Sequence, residues 1–212
     1  MFSIELLFFL VVILFSAIIH EYAHGLAAYL LGDPTAKNMG RLTLNPLPHI
    51  DPVGTILVPG VLLLLNTPFL FGWAKPVPFN PYNLKNQRWG PSMVGIAGPG
   101  TNLLIALVVS LIIRYVPGIS IDLGIFLGII VFANIILGIF NLIPIPPLDG
   151  SKVLYAILPA KFVKVQEILD KYGFFILLFM IIFGGGFLFS IILFFALLFL
   201  GDFAFITLDA LS

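Results

Sequence analysis

Two histidines and a glutamate occur together in the sequence His20-Glu21-Tyr22-Ala23-His24, within an otherwise apolar stretch. Histidines four residues apart on a helix lie about 40° apart around its axis and about 6 Å apart along it. This spacing lets both imidazoles bind one Zn²⁺ ion at about 2.0–2.1 Å. Glu21 follows the first histidine and can accept a proton from a water at the metal. The pattern therefore predicts a zinc site with its own general base.

A structural role is the alternative for these three residues. In that interpretation His20 and His24 make interior hydrogen bonds, and Glu21 pairs with a buried lysine or arginine. The nearest basic residues are Lys37 and Arg41, which lie more than about three helical turns further along the chain. Ionisable groups at membrane depth are costly and are retained mainly for function. A metal site is therefore the favoured interpretation.

The composition is that of a membrane protein. Of the 212 residues, 60% are hydrophobic and only 9% are charged, whereas soluble domains are about a quarter charged. Ten basic and ten acidic side chains give no net charge, which argues against nucleic acid as a partner. Cysteine is absent, so disulfides and thiolate ligands are excluded. Any zinc ion must therefore be bound by histidine and carboxylate.

Five apolar stretches approach or exceed the roughly 20 residues that a transmembrane helix needs. They are residues 2–31, 53–72, 91–116, 121–143 and 173–208. Pro59, Asn66 and Pro68 interrupt the second stretch, which either spans or re-enters the membrane. The glycines at 184–186 can divide the last stretch into two helices. The predicted fold is an all-α polytopic membrane protein with about five to six transmembrane or re-entrant helices, forming a single domain over residues 1–212.

The two histidines need a third partner, because a catalytic zinc usually has three protein ligands and a water. The carboxylates in or near apolar segments are Glu5, Asp122, Asp149, Asp170, Asp202 and Asp209. Asp149 stands out because Pro144, Pro146 and Pro147 precede it, and proline cannot continue a regular helix. Irregular backbone at membrane depth is tolerated where it lines a cavity. Capping of the following helix is the alternative role for Asp149, since aspartate is a favoured N-cap.

Two motifs in this order resemble those of the site-2 protease family, peptidase family M50, whose members are intramembrane zinc metalloproteases. The first motif is H-E-x-x-H, at His20, Glu21 and His24. The second is N-x-x-P-x-x-x-L-D-G, from Asn141 to Gly150. Three connecting stretches resemble the small bacterial branch of that family, which lacks PDZ and CBS domains: residues 45–55, 72–77 and 97–102.

The resemblance implies a zinc ion bound by His20, His24 and Asp149, with Glu21 activating the water. It also implies a catalytic or substrate-holding role for Asn141, whose amide can donate to a developing oxyanion. The implied activity is that of an intramembrane endopeptidase. Such an enzyme hydrolyses peptide bonds within transmembrane segments of membrane-protein substrates, as in regulated intramembrane proteolysis. The implied location is a cell membrane, namely the inner membrane of a bacterium, which the chain would cross several times. The implied partners are the lipid bilayer and transmembrane substrates.

Several interpretations stay open beside this one. A catalytically silent adaptor or a metal-binding transporter could keep the same fold. A membrane zincin of another family could use Glu167 as its third ligand. Asn102 is interpreted as a hydrogen-bonding residue between helices, which polar groups in membrane bundles often are, with donation to the developing oxyanion as the alternative. His49 is interpreted as a solvated loop residue, with a role beside the metal site as the alternative.

Overall fold

The computed structural model describes residues 3–65 and 72–211, and every regular element within them is helical. In chain order the α-helices are α1 (Ile4–Leu30), α2 (Thr35–Asn38), α3 (Val58–Leu64), α4 (Gly90–Tyr115), α5 (Ile121–Asn141), α6 (Gly150–Ile157), α7 (Val163–Leu200) and α8 (Phe203–Leu211). Shorter helical turns occupy Leu47–His49, Pro52–Leu57, Pro81–Asn83 and Ala160–Phe162. The predicted all-α class is confirmed, and the single-domain organisation stays a prediction.

Four helices of the described chain are long and apolar enough to cross a membrane: α1, α4, α5 and α7. Two of them begin at a serine cap, because the hydroxyls of Ser3 and Ser120 accept the backbone N–H groups of Leu6 and Leu123. Helix α4 begins with a proline in its first turn, where the fixed φ angle of proline suits a helix start. The four helices give the architecture of a multi-pass membrane protein.

Helices α1, α4 and α5 pack on one another and form the centre of the bundle. Helix α6 packs on α4, while α7 and α8 pack on α5. Glycines allow close approach at these contacts: a Cβ atom at Gly138 of α5 would lie 2.8 Å from Leu103 Cγ of α4. Likewise, a Cβ atom at Gly124 would lie 2.7 Å from Phe203 Cζ of α8. Small residues therefore set the spacing of the central helices, as is common in membrane bundles.

The last predicted span is two helices in the structure. Helix α7 begins at Val163 rather than at residue 173, and α8 follows from Phe203. The glycines at 184–186 lie inside α7 without breaking it, because backbone N–H and C=O groups in lipid must bond within the helix. The break falls at Gly201, whose φ angle of 61° is a conformation that favours glycine.

The second predicted span, residues 53–72, is only partly described. The carboxylate of Asp51 accepts the N–H groups of Val53 and Gly54 and so caps the π-helical turn that leads into α3. From Pro52 to Leu64 the helical residues are too few to cross a bilayer. Residues 66–71 lie outside the described part of the chain, so the choice between a span and a re-entrant segment stays a prediction.

Residues 75–85, which we call the strap, connect the region after α3 to the start of α4. The strap lies against the second half of α1, where Gly25 leaves room for it: a Cβ atom there would be 3.0 Å from Val77 Cγ1. Leu84 of the strap is buried with residues of α1 and α4 in a small apolar cluster. The Lys85 N–H donates to the carbonyl oxygen of Leu31 at 3.0 Å. The strap therefore follows the end of α1 closely.

Candidate metal centre

Three side chains that are far apart in the sequence meet in the centre of the bundle. The Nε2 atoms of His20 and His24 each lie 3.0 Å from Oδ2 of Asp149, and they lie 3.0 Å from each other. All three side chains are buried. Within residues 3–65 and 72–211, this is the one group of His, Asp or Glu side chains whose ligand atoms converge in this way.

Hydrogen bonding alone does not account for this triangle of atoms. Nδ1 of His20 lies 2.6 Å from Oδ1 of Asn102, and Nδ1 of His24 lies 2.6 Å from the carbonyl oxygen of Val94. Both partners are acceptors, so both Nδ1 atoms carry a proton, and in the neutral imidazoles both Nε2 atoms present lone pairs. Together with the oxygen of Asp149, these lone pairs repel one another unless a metal ion or added protons lie among them.

The spacing of the three atoms fits a zinc ion. Ligand atoms at 2.0–2.1 Å from one zinc in a tetrahedral arrangement lie about 3.3 Å apart. The observed separations of 3.0 Å are close to that value. A donor set of two imidazoles and one carboxylate is also one that catalytic zinc sites use. The residues present therefore fit the predicted metal.

The orientation of the Asn102 amide supports this tautomer of His20. Its Nδ2 donates to Oδ1 of Asn134 at 2.8 Å and to the carbonyl oxygen of Ser16 at 3.3 Å. Nδ2 of Asn134 in turn donates to the carbonyl oxygen of Ile130 at 2.9 Å, which leaves its Oδ1 free to accept. Because carbonyl oxygens only accept, Oδ1 of Asn102 is the atom that faces His20. The predicted interhelical hydrogen bonding of Asn102 is confirmed.

We expect Asn102→Leu to weaken zinc binding by about 10–100-fold, the usual cost of losing the partner that orients a ligating histidine. The change leaves the Nδ1–H of His20 without an acceptor. Competition with a chromogenic chelator measures the affinity. Thr101→Val is the matched control, because the Thr101 hydroxyl donates only to Ala97 of its own helix. Wild-type zinc affinity in a folded Asn102→Leu protein would contradict the assignment.

Asp149 reaches the histidines because the chain between α5 and α6 is not helical. A Cβ atom at Gly150 would collide with the backbone of Leu142 and Ile143, so this tight turn requires glycine. Asp149 precedes α6, but its side chain makes no capping hydrogen bond to that helix. The capping alternative is therefore wrong. Instead, Oδ1 of Asp149 accepts Nζ of Lys152 at 2.7 Å, while Oδ2 faces the histidines.

Glu21 faces a cavity next to the two histidines. The backbone N–H of Val77, in the strap, donates to Oε2 of Glu21 at 2.7 Å. The cavity has a volume of about 160 Å³. Its lining combines helix and turn residues with part of the strap: His20, Glu21, His24, Asn141, Pro147, Asp149, Lys152, Pro76, Val77 and Phe79. A carboxylate is thus held beside the three converging ligand atoms, in the wall of the same cavity.

Gly98 of α4 faces both histidines and keeps the space between them open. A Cβ atom there would lie 2.5 Å from Nε2 of His24 and 2.6 Å from Nε2 of His20. Any other residue would therefore enter the position that a metal would take. Sequence reasoning assigned no role at the metal site to Gly98, Lys152 or Val77. The position of Lys152, one helical turn after Asp149, was an available signal, whereas Val77 contributes only its backbone.

The other sequence candidates have different outcomes. Asn141 lines the cavity, and its Nδ2 donates to the carbonyl oxygen of Leu137 at 2.9 Å. Its role toward the substrate stays a prediction. His49 is only 1% exposed and donates from Nε2 to the Thr43 carbonyl oxygen, so the interpretation as a solvated residue is wrong. Glu167 is exposed on α7 and is not part of the cluster, which excludes it as the third member of this group.

A bundle of membrane-spanning helices around a buried His-His-Asp cluster, with a glutamate beside it, has the features of a membrane metallohydrolase. Residues 119–180 match the sequence model of the family described as peptidase family M50. The chain is 37% identical over 179 residues to YwhC of Bacillus subtilis, which is named as an inferred zinc metalloprotease. That similarity covers 81% of this chain and 78% of YwhC. The chain therefore belongs to peptidase family M50, the site-2 proteases, and is a zinc metallopeptidase.

More distant relatives agree with this assignment. Rip2 of Mycolicibacterium smegmatis, also named as an inferred zinc metalloprotease, is 29% identical over 178 residues, covering 80% of this chain and 64% of Rip2. Zinc metalloprotease MJ0392 of Methanocaldococcus jannaschii is 34% identical over 102 residues, covering 47% of this chain and 30% of that protein. The chain thus spans less than two thirds of these two relatives. No solved structure gave a significant match.

Proposed function

We propose that this protein is an intramembrane zinc endopeptidase that hydrolyses peptide bonds within transmembrane segments of its substrates. The observation that carries the proposal is the convergence of His20, His24 and Asp149 inside a bundle of membrane-spanning helices. From the helical rise of 1.5 Å per residue, His24 and His20 lie about 9 and 15 Å from the end of α1. Peptide bonds that reach this cavity would therefore come from within or near the bilayer.

Each residue of the centre has a distinct role in this proposal. His20, His24 and Asp149 would hold a zinc ion, which would polarise the scissile carbonyl and lower the pKa of the attacking water. Glu21 accepts the proton from that water and passes it to the leaving amine. The Val77 N–H holds Oε2 of Glu21 at 2.7 Å, which leaves Oε1 to carry the proton.

Two further polar groups in the cavity complete the proposed site. Lys152 donates to Oδ1 of Asp149, so Oδ2, which faces the histidines, would be the oxygen available to a metal. Asn141 lies in the cavity wall, and its amide has two N–H groups, one of which donates to Leu137. We propose that its amide donates to the substrate carbonyl oxygen, where negative charge develops. This role belongs to the same proposal as the zinc ligands.

The size of the cavity implies that a substrate helix must unwind before it is cut. A volume of about 160 Å³ holds about one aromatic ring, whereas an α-helix with its side chains is about 10–12 Å across. The N–H and C=O groups of a helix are also hydrogen-bonded to each other, which hinders attack on its peptide bonds. Substrates with helix-breaking residues near the cut should therefore be preferred. Each glycine lowers the cost of unwinding by about 1 kcal/mol relative to alanine.

Reconstitution of the protein in liposomes with single-span helical substrates tests this proposal. We expect cleavage inside the apolar segment, mapped by mass spectrometry, that is lost on chelation and restored by added zinc. Paired substrates that differ only by two glycines in place of two alanines at the cut should differ in rate by several-fold or more. Zinc transport without cleavage would favour the transporter alternative, and cleavage confined to soluble peptides would contradict the intramembrane function.

A further inference from the structure

Asp33 lies in the turn after α1 and is completely buried. Its carboxylate accepts four hydrogen bonds. Oδ1 accepts the backbone N–H and the hydroxyl of Thr35 and also Nδ2 of Asn83, while Oδ2 accepts the Asn80 N–H at 2.6 Å. Two of the four donors belong to the strap. Asp33 therefore joins the end of α1 to a segment that lies far from it in the sequence.

The hydrogen bonds keep this buried carboxylate charged. Burial alone raises the pKa of Asp33, but the bonds from Thr35, Asn83 and Asn80 outweigh that effect and hold the pKa below its ordinary value. Asp33 is therefore ionised at neutral pH and accepts all four bonds at once. Hydrogen bonds to an ionised acceptor are roughly twice as strong as neutral ones. The contact between Asp33 and the strap is thus a strong one.

The strap depends on such contacts, because residues 75–80 have no regular secondary structure. On one side of Val77, Nη2 of Arg41 donates to the carbonyl oxygens of Lys75 and Pro76 at 2.8 and 3.3 Å. On the other side, Asp33 holds the strap three residues further along the chain. The Val77 N–H that reaches Glu21 lies between these two attachments. Its position is therefore set by two buried charged side chains, together with the Lys75 N–H, which donates to the carbonyl oxygen of His49 at 2.8 Å.

We propose that Asp33 is a positioning residue for catalysis, which acts by fixing the strap whose Val77 N–H orients Glu21. The inference rests on the proposed role of Glu21 as the proton acceptor. A displacement of about 1 Å at a reacting group can cost about 100-fold in rate. The hydrogen bonds among His20, His24, Asp149 and Asn102 do not involve the strap. A shift of the strap therefore acts directly on Glu21, whereas its Phe79 reaches Asp149 only indirectly, through Lys152.

Asp33→Asn tests this inference. Asparagine has nearly the same size, but its amide N–H₂ group replaces one carboxylate oxygen and cannot accept a hydrogen bond from the donors around it. We expect kcat per zinc-loaded enzyme to fall by about 10–100-fold, with unchanged zinc content and faster hydrogen exchange in the strap. Arg41→Met removes the side-chain hydrogen bonds of the other attachment, although the Lys75 N–H keeps its bond to His49, and it should act in the same direction. Asp122→Asn, at an exposed aspartate in the first turn of α5, is the matched control and should leave all three quantities unchanged.

A double variant separates positioning from a merely structural role. Val77→Pro removes the N–H that Glu21 accepts, so adding Asp33→Asn to it should lower kcat by much less than Asp33→Asn does alone. Fully multiplicative effects would overturn the inference, as would wild-type kcat in folded, zinc-loaded Asp33→Asn and Arg41→Met proteins. If Asp33→Asn does not fold, Arg41→Met alone decides. Retained cleavage by Glu21→Gln would instead contradict the proposed function itself.

Discussion

Glu21→Gln is expected to lower the rate of substrate cleavage by about 10²–10⁴-fold while the zinc content stays at the wild-type level. Glutamine keeps the shape of the side chain, and its carbonyl oxygen can still accept the Val77 N–H. It cannot take up a proton from the attacking water, so the general-base contribution is lost. Single-turnover cleavage in liposomes measures the rate, and elemental analysis of the purified protein measures the zinc.

Glu5→Gln provides the control for this result. Glu5 is the acidic residue in the first turn of α1, at the opposite end of the helix from the zinc cluster. The same chemical change there should leave both rate and zinc content unaltered. A folded, zinc-loaded Glu21→Gln protein that cleaves within about threefold of the wild-type rate would remove Glu21 from the mechanism, since general-base catalysis contributes far more than that.

Asp149→Ala is expected to weaken zinc binding by more than about 100-fold and to abolish cleavage. Losing a partner that merely orients a ligand costs about 10–100-fold in affinity, so losing a ligand atom itself should cost more. The change also leaves Lys152 without the carboxylate that it contacts at 2.7 Å, which adds an unpaired positive charge beside the metal. Chelator competition measures the affinity, and cleavage is followed in the same preparation.

Glu167→Ala is the matched control for Asp149→Ala, because Glu167 is an exposed carboxylate outside the cluster. It should keep both zinc and activity. If Asp149 is a zinc ligand and Glu21 the general base, zinc must be lost in Asp149→Ala but retained in Glu21→Gln. Zinc retained in Asp149→Ala and lost in Glu167→Ala would instead identify a different third ligand.

The part of the site that follows local helix geometry was predictable from the sequence. His20 and His24 are neighbours on one helix face whatever surrounds them, so their spacing alone indicates a shared metal. Asp149 is 129 residues from His20, and no local rule brings the two together. The prolines before Asp149 predict only that the chain is irregular there. The family resemblance, rather than the physical pattern, connected it to the histidines.

The residues that support the site were not predictable in this way. Val77 acts through its backbone N–H, which every residue except proline possesses. Asp33 lies in a polar turn and has the sequence appearance of a solvated loop residue, although the strap buries it completely. Gly98 contributes the absence of a side chain. In each case the signal is a distance between segments, which neither hydropathy nor residue spacing contains.

The same limit applies to the helix ends. Apolar composition located α7 but placed its start at residue 173, because the more polar first turns do not resemble a membrane span. Lys164, Glu167 and Lys171 are exposed on this part of α7, so they cost little to keep in a helix. Composition detects the segment that lies in lipid, whereas the helix extends as far as its backbone hydrogen bonds allow.

The hydrogen bonds that join Ser16, Asn102 and Asn134 to His20 also connect metal loading with the assembly of the protein. These residues come from α1, α4 and α5, so the imidazole is fully oriented only when all three helices have packed together. By thermodynamic linkage the effect is reciprocal. If packing of the helices strengthens zinc binding, bound zinc stabilises the packed helices by the same free energy. A chain still being inserted into the membrane would therefore hold zinc weakly. We therefore expect zinc loading, and the peptidase activity that depends on it, to follow the packing of α1, α4 and α5 rather than to precede it.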